Sequence, residues 1–354
     1  MGKSILLSIL FTSLALNANA GDYDAAKAIS VDEYDTLEAF DHKRVDAHAP
    51  IGVMGDHLHH KSEAMLSYRY MAMDMRPNYV GSDEVTPRSQ LSRPGTGPYQ
   101  IMPLDMQTEM HMIGLMYAPS DEVTLAFMLP IIDKTMDHLT AMGTQFTTAT
   151  NGIGDFKFGG LVKLYEQENV KGHLNLMMSA PTGSIEETGF VAPAGRVIRL
   201  PYPMQLGSGT WDFRPGVTFL GQKGDFSWGS QLLGTVRLGE NTEDYALGND
   251  ITGTIWGALR LSDSLSTSLR LSGTSWGDID GRDLRIMGPV PTADPAIQGG
   301  ERIDLFYGVN YLFQNGALKG HRLAVEAGKP LYQDLDGPRL GMDWMMTVGW
   351  QKSW

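Results

Sequence analysis

Hydrophobic and polar positions alternate along this chain with a period of two, most cleanly at its end. From about Gly341 onward, Trp344, Met346, Val348 and Trp350 fall on one face, and Thr347, Gly349, Gln351 and Ser353 on the other. Successive side chains of a strand point to opposite sides, so one face is large and apolar and the other small and polar. The pattern recurs in Phe226, Trp228, Leu232, Val236 and Leu238. It recurs again in Ile303, Leu305, Tyr307, Val309, Tyr311 and Phe313, opposite Arg302, Asp304, Gly308 and Asn310.

Followed along the whole chain, this period predicts about twelve strands. They lie near 63–75, 105–118, 122–132, 153–166, 172–181, 211–220, 225–239, 250–261, 264–276, 301–314, 321–331 and 341–354. Alternation also suits a soluble sandwich, and the linkers decide between the two. Those after even strands are short, as in Pro119-Ser120-Asp121 and Ser262-Asp263. Those after odd strands are mostly long, at 76–104, 133–152, 182–210, 240–249, 277–300 and 332–340. Outer-membrane barrels have short periplasmic turns and long extracellular loops. The predicted fold is therefore all-β, a transmembrane antiparallel up-and-down β-barrel, with the apolar faces toward lipid and both termini periplasmic.

Both ends of the chain agree with that destination, the bacterial outer membrane. Thr347, Gly349 and Trp354 match an ending that resembles the polar-x-Gly-x-x-apolar-x-aromatic pattern read by the barrel-assembly machinery, although Lys352 stands where an apolar residue is usual. At the other end, Lys3, the apolar run Ile5 to Leu16 and Ala18-Asn19-Ala20 read as a secretory signal peptide over 1–20. Residues 21–62 lack strand alternation and are acidic, with Asp22, Asp24, Asp32, Glu33, Asp35, Glu38, Asp41 and Asp46. They form either a periplasmic tail or a plug in the lumen, and 63–354 forms the barrel.

The composition narrows the partners. No mature stretch supplies the roughly 20 consecutive apolar residues of a spanning helix. The chain has no Cys, so an exported protein must draw its stability from something other than disulfides, such as a closed hydrogen-bonded barrel. A net charge of -13, from 28 basic and 41 acidic residues, excludes nucleic acid as a partner. The expected partners are outer-membrane lipid and lipopolysaccharide, the assembly machinery during biogenesis, and a small solute.

The strand phases place Arg69, Asp155, Lys157, Asp212, Arg214, Arg237, Arg260, Arg270, Arg302, Asp304 and Glu326 on the lumen side. A sign-selective eyelet gathers one charge type at one height. Here the arginines fall at different heights with acids between them, which favours charge pairs bracing a narrow barrel over a charge-lined path.

Methionine is overrepresented, with 21 residues. Met71, Met73 and Met75 face inward if Arg69 does, and Met110 and Met112 face inward if Ile113, Leu115 and Tyr117 meet lipid, a phase that sends Glu109 and His111 outward. Thioethers and imidazoles suit Cu(I) or another soft metal, and His57, His59 and His60, near Met54 and His48, offer further ligands. Copper is thus a candidate cargo or cofactor. The competing reading is structural, because Met is a flexible filler of apolar space and an apolar lumen serves an uncharged hydrophobic solute equally well.

Gly152-Ile153-Gly154-Asp155, Pro181-Thr182-Gly183-Ser184 and Gly207-Ser208-Gly209-Thr210-Trp211-Asp212, together with the barrel ending, resemble a family of outer-membrane proteins named for the meta-pathway of phenol degradation. The resemblance implies an outer-membrane channel for small aromatic or hydrophobic compounds, and it carries over no catalytic residue. A barrel hydrolase needs a nucleophile, a His and an orienting group together. His111 and His138, the histidines near the outer face, have no local triad signature. The chain reads as a channel rather than an enzyme, with a lipid hydrolase as the remaining alternative.

Overall fold

A computed structural model describes residues 40–92 and 98–354. The predicted signal peptide and most of the acidic stretch, up to residue 39, lie outside them. Among the described residues, one thirteen-stranded antiparallel sheet dominates. Two of its strands, Asp83–Val85 and Gln145–Ile153, lie outside the ring, and eleven close into a barrel.

Around the ring run Ala64–Gly81, Ile101–Ser120, Val123–Thr140, Phe156–Gln167, Val170–Ala180, Asp212–Lys223, Phe226–Arg237, Asp250–Arg260, Leu265–Trp276, Gly300–Leu312 and His321–Ser353. The last spans 33 residues and crosses the wall twice. Its first half pairs with Gly300–Leu312 and its second with Ala64–Gly81. Arg322 bonds Gln351, His321 bonds Trp350 and Gln333 bonds Met342, which requires the chain to double back near Asp336-Gly337-Pro338. The wall is therefore crossed about twelve times, in agreement with the alternation. What the sequence reads as a loop at 332–340 is instead a tight hairpin.

The exposure of the wall follows the predicted phases. Ile113, Leu115 and Tyr117 are exposed while Met112 and Met116 are buried, and Leu269, Leu305, Tyr307, Leu323, Val325 and Val348 continue the outward apolar belt. Such a belt has no place in water and is the surface a barrel presents to lipid. Inward, Ser67, Thr218, Gln231, Ser268, Asn310 and Thr347 are buried.

One rim carries only short turns, such as Gly224-Asp225 between Asp212–Lys223 and Phe226–Arg237. The other carries the long connections. There the first three strands run well past their predicted ends, to Gly81, Ile101 and Thr140. Outward positions on these extensions are polar, as at Asp133 and Thr135, so the wall rises beyond the apolar belt. Gln145–Ile153 pairs with the outer half of Val123–Thr140, and after a break at Gly154 and Asp155 the strand Phe156–Gln167 takes over its inner half.

Candidate functional site

Residues 40–62 have no alternation because they are not wall. They thread the interior, and inward side chains hold them chiefly by their main chain. Arg69 Nε donates to the Ile51 carbonyl (3.1 Å) and Arg322 Nη2 to the Ala49 carbonyl (2.8 Å). Asn175 Nδ2 donates to the Gly55 carbonyl and Gln231 Nε2 to that of Met54. Ser227 and Ser266 hydroxyls donate to Asp46 and Val45. In return, the Gly52 amide donates to Glu326 Oε2 (3.0 Å) and the His59 amide to Thr124 Oγ1. A buried backbone group without a partner is costly, and here the barrel wall supplies the partners that a sheet or helix would otherwise give.

The predicted inward charges are resolved by this plug and by one another. Arg270 forms a two-pronged pair with Glu326 (2.8 and 2.9 Å), stacks on Phe306 at 3.8 Å, and so fixes the carboxylate that receives Gly52. Arg237 pairs with Asp212 (2.5 Å) and Arg302 with Asp304 (2.9 Å). Arg260 sits at the short-turn rim on Asp225 (2.6 Å). These are braces rather than a ring of one sign, and the buried Arg69, Asp212, Arg270, Asp304 and Glu326 each meet an opposite charge or a carbonyl, as burial demands.

Outward of the plug lies a chamber of about 560 Å³. Lys134, Lys157, Arg214 and Arg237 line it on the basic side, and Asp155, Asp212 and Asp250 on the acidic side. Lys134 donates to the Pro203 and Gln205 carbonyls, so a loop from the long rim reaches down to the chamber. The three glycine-rich stretches of the family resemblance meet on its wall. Asp155 accepts from the Gly183 amide (2.9 Å) and the Ser208 amide (2.7 Å), while Asp212 accepts from the Ser208 and Thr210 hydroxyls. A Cβ on Gly183 would stand 2.7 Å from Gly207 Cα, so glycine is required for the two loops to touch.

Farther out, a pocket of about 730 Å³ opens among the long loops, lined largely by Ile101, Phe146, Ile198, Leu200, Ile286 and Val290. His138 stacks on Phe146 there, with ring centres 4.7 Å apart. His111 lies on the opposite side of the wall and bonds Tyr68 (2.7 Å). The structure does not bring these two histidines together.

Eleven of the methionines fall into two packed groups. Met65, Met112, Met116, Met128 and Met177 surround Met54, Leu58 and Met71 of the plug and wall. Met106, Met136 and Met204 pack with Met75 under the long loops. The register sets Met71 opposite Met110, and Met73 opposite Met345. Their companions are aliphatic in the first group, and aliphatic with Phe146 in the second.

The histidines gather at the short-turn end of the plug. His57 lies between His48 and His59, with ring centres 4.2 and 4.7 Å away, and His42 meets His60 at 4.9 Å. His60 is drawn to Asp121 at the rim, while His48 and Asp56 join His57 in its place. Asp56 escaped the sequence reading because an isolated acid in an acidic segment carries no pattern. Burial, followed by the charge of Lys171, lowers the His42 pKa to about 4. Burial, with His57 beside it, lowers that of His59 to about 3 and takes His48 well below the usual imidazole value. All three imidazoles are neutral at pH 7.

No family model and no curated protein matches the chain. Among solved structures, it is similar to an outer membrane channel from Pseudomonas putida F1, at 12% identity and a TM-score of 0.56, covering 85% of this chain and 99% of that one. The likeness is one of fold. A Pseudomonas aeruginosa FadL homologue also matches, at 13% identity and TM-score 0.41 over 82% of this chain and 90% of that one. The P. putida toluene transporter TodX matches at 10% and 0.41, over 83% and 90%. The outer-membrane barrel fold predicted from alternation thus agrees with the closed ring and with the first of these comparisons.

Proposed function

We propose that this protein is an outer-membrane channel for small solutes, its short turns and both termini in the periplasm, with residues 40–62 as a plug that closes the lumen. The observation that carries this reading is how the interior is filled. Wall side chains alone fill a barrel of about eight strands, and the bore widens with strand number. Here the wall's polar side chains grip a separate segment of chain, with cavities on either side of it: the chamber of about 560 Å³ outward, and one of about 280 Å³ lined by His42, His59 and Lys171 at the short-turn end. The segment belongs to no strand of the ring, so the ring is closed without it.

For the solute, the reading supported best is a small hydrophobic or aromatic compound. The outer pocket has the volume and the apolar lining of a small-molecule site, and it lies where a solute entering through the long loops first meets the protein. The family resemblance points to the same class. Planar-bilayer recording on the refolded chain tests the proposal, together with swelling of proteoliposomes in a small phenol. Channel openings and phenol uptake above that of empty liposomes are expected. A chain that neither conducts nor admits phenol is not a channel.

A further inference from the structure

We infer that the plug carries a binding site for a divalent transition cation of the zinc type, formed by His48, Asp56 and His57, which clasps the 48–57 loop in its docked shape. The site needs only the docked position of this loop, so it stands or falls separately from the channel reading.

The geometry comes first. His48 Nδ1 and His57 Nδ1 face each other at 3.3 Å, with Asp56 Oδ1 2.9 Å from the His57 atom and Asp56 Oδ2 3.9 Å from the His48 atom. All the ligating atoms lie within 4.8 Å of one another. Zinc bonds of about 2.0–2.1 Å in a tetrahedron set donor atoms about 3.4 Å apart, close to the middle of the observed distances. Few movements are needed to admit an ion.

Proton bookkeeping points the same way. If His57 Nδ1 carries a proton to Asp56, it turns no lone pair toward His48. If His48 donates to His57 instead, the lone pair of His57 is already used and Asp56 Oδ1 faces no proton. A single proton cannot point squarely at both partners, so at least one of the two short contacts lacks a well-aligned hydrogen. A cation accepts electron pairs from all three groups at once.

The surroundings are those of a metal site. Asp56 Oδ2 accepts the Ala49 amide (2.9 Å), the kind of outer contact that fixes a ligand's orientation. The His48 side chain is 22% exposed and borders a cavity of about 290 Å³, lined also by Phe40, His42 and His60. That cavity provides entry and room for a water as fourth ligand. Two imidazoles and a carboxylate favour Zn²⁺, Ni²⁺ or Cu²⁺ over Cu(I). The loop they close contains Ala49, Ile51 and Gly52, the residues gripped by Arg322, Arg69 and Glu326.

The test is calorimetric titration of Zn²⁺ into the refolded full chain in detergent, with hydrogen exchange followed in peptides covering 45–58. One equivalent is expected to bind and to slow exchange there. His48→Gln and His57→Gln should each weaken binding by at least the about 10–100-fold that loss of a supporting residue costs at metal sites. A Met71→Leu/Met110→Leu variant should bind as the parent does. Exchange in peptides of the barrel wall, unchanged in the two His variants, shows that they are folded. No binding by the parent overturns the proposal, as does binding that survives both His substitutions or is lost with the methionines.

Discussion

Gly52→Ala presses the plug against a single ion pair of the wall. A Cβ at this position would stand 2.1 Å from Glu326 Oε2 and 2.7 Å from Arg270 Nη2. A flexible carboxylate would swing aside, but this one is held by two bonds from Arg270. Either the ion pair opens or the plug backs away and gives up the bond from its Gly52 amide. Forcing a methyl into packed space costs about 1–3 kcal/mol, and a hydrogen bond to a charged group contributes about 1.5–3 kcal/mol. The two together amount to about 2.5–6 kcal/mol, and since 1.36 kcal/mol is about tenfold, the ratio of docked to released plug falls by about 70-fold or more. Single-channel recording should show a large rise in open probability, and hydrogen exchange over 45–58 should quicken while the wall stays protected. A variant with the parent's open probability and the parent's protection would refute the claim that the Glu326–Gly52 contact holds the plug.

Glu326→Leu leaves Arg270 buried without its counter-charge and should destabilise the protein by about 3–5 kcal/mol, whereas Arg270→Met/Glu326→Leu should recover most of that loss; denaturant midpoints of the two variants check it. His42, faced by Lys171, His60, His57 and Glu166, has its pKa lowered to about 4 in the docked plug against about 6.5 when released. The released state therefore binds more protons between those values, so the contribution of His42 to docking is present above pH 6.5 and is lost as pH falls toward 4. Open probability should rise over that window and the rise should shrink in His42→Gln; a pH profile identical in the two proteins would rule this out. Ile198→Asp places a charge in the apolar outer pocket and should reduce phenol uptake several-fold while leaving small-ion conductance intact, as proteoliposome swelling and bilayer recording would reveal.

The wall was legible in the sequence because lipid and lumen impose opposite demands on alternate residues. Arg69 fixed the phase of the first strand, and Ile113, Leu115 and Tyr117 that of the second, even at the cost of an outward Glu109 and His111. The outward extensions were not legible, because beyond the apolar belt Asp133 and Thr135 face water on a wall that no longer alternates. The plug was only half legible. Residues 40–62 lack a period because their partners are Thr124, Gln231, Glu326 and others far away in sequence, reached through backbone atoms that every residue possesses. Nothing in Ile51 or Ala49 as residue types announces that an arginine will hold the carbonyl. The Met-rich stretches were visible, but whether thioethers face an ion or aliphatic neighbours depends on what fills the barrel. The pairing of His48 with Asp56 and His57 likewise depends on a turn that the plug makes only inside the wall.

The central claim is that a docked 40–62 segment closes a conducting barrel. Because the chain has no Cys, one disulfide tests this directly. A Cβ on Gly349 would lie 2.6 Å from Ile51 Cγ1, within reach of the Cβ separation of about 3.5–4.5 Å that a disulfide spans. Ile51→Cys/Gly349→Cys, recorded in a planar bilayer before and after reduction, should be silent when oxidised and should open on addition of reductant. Equal conductance with the segment locked and released would contradict the account.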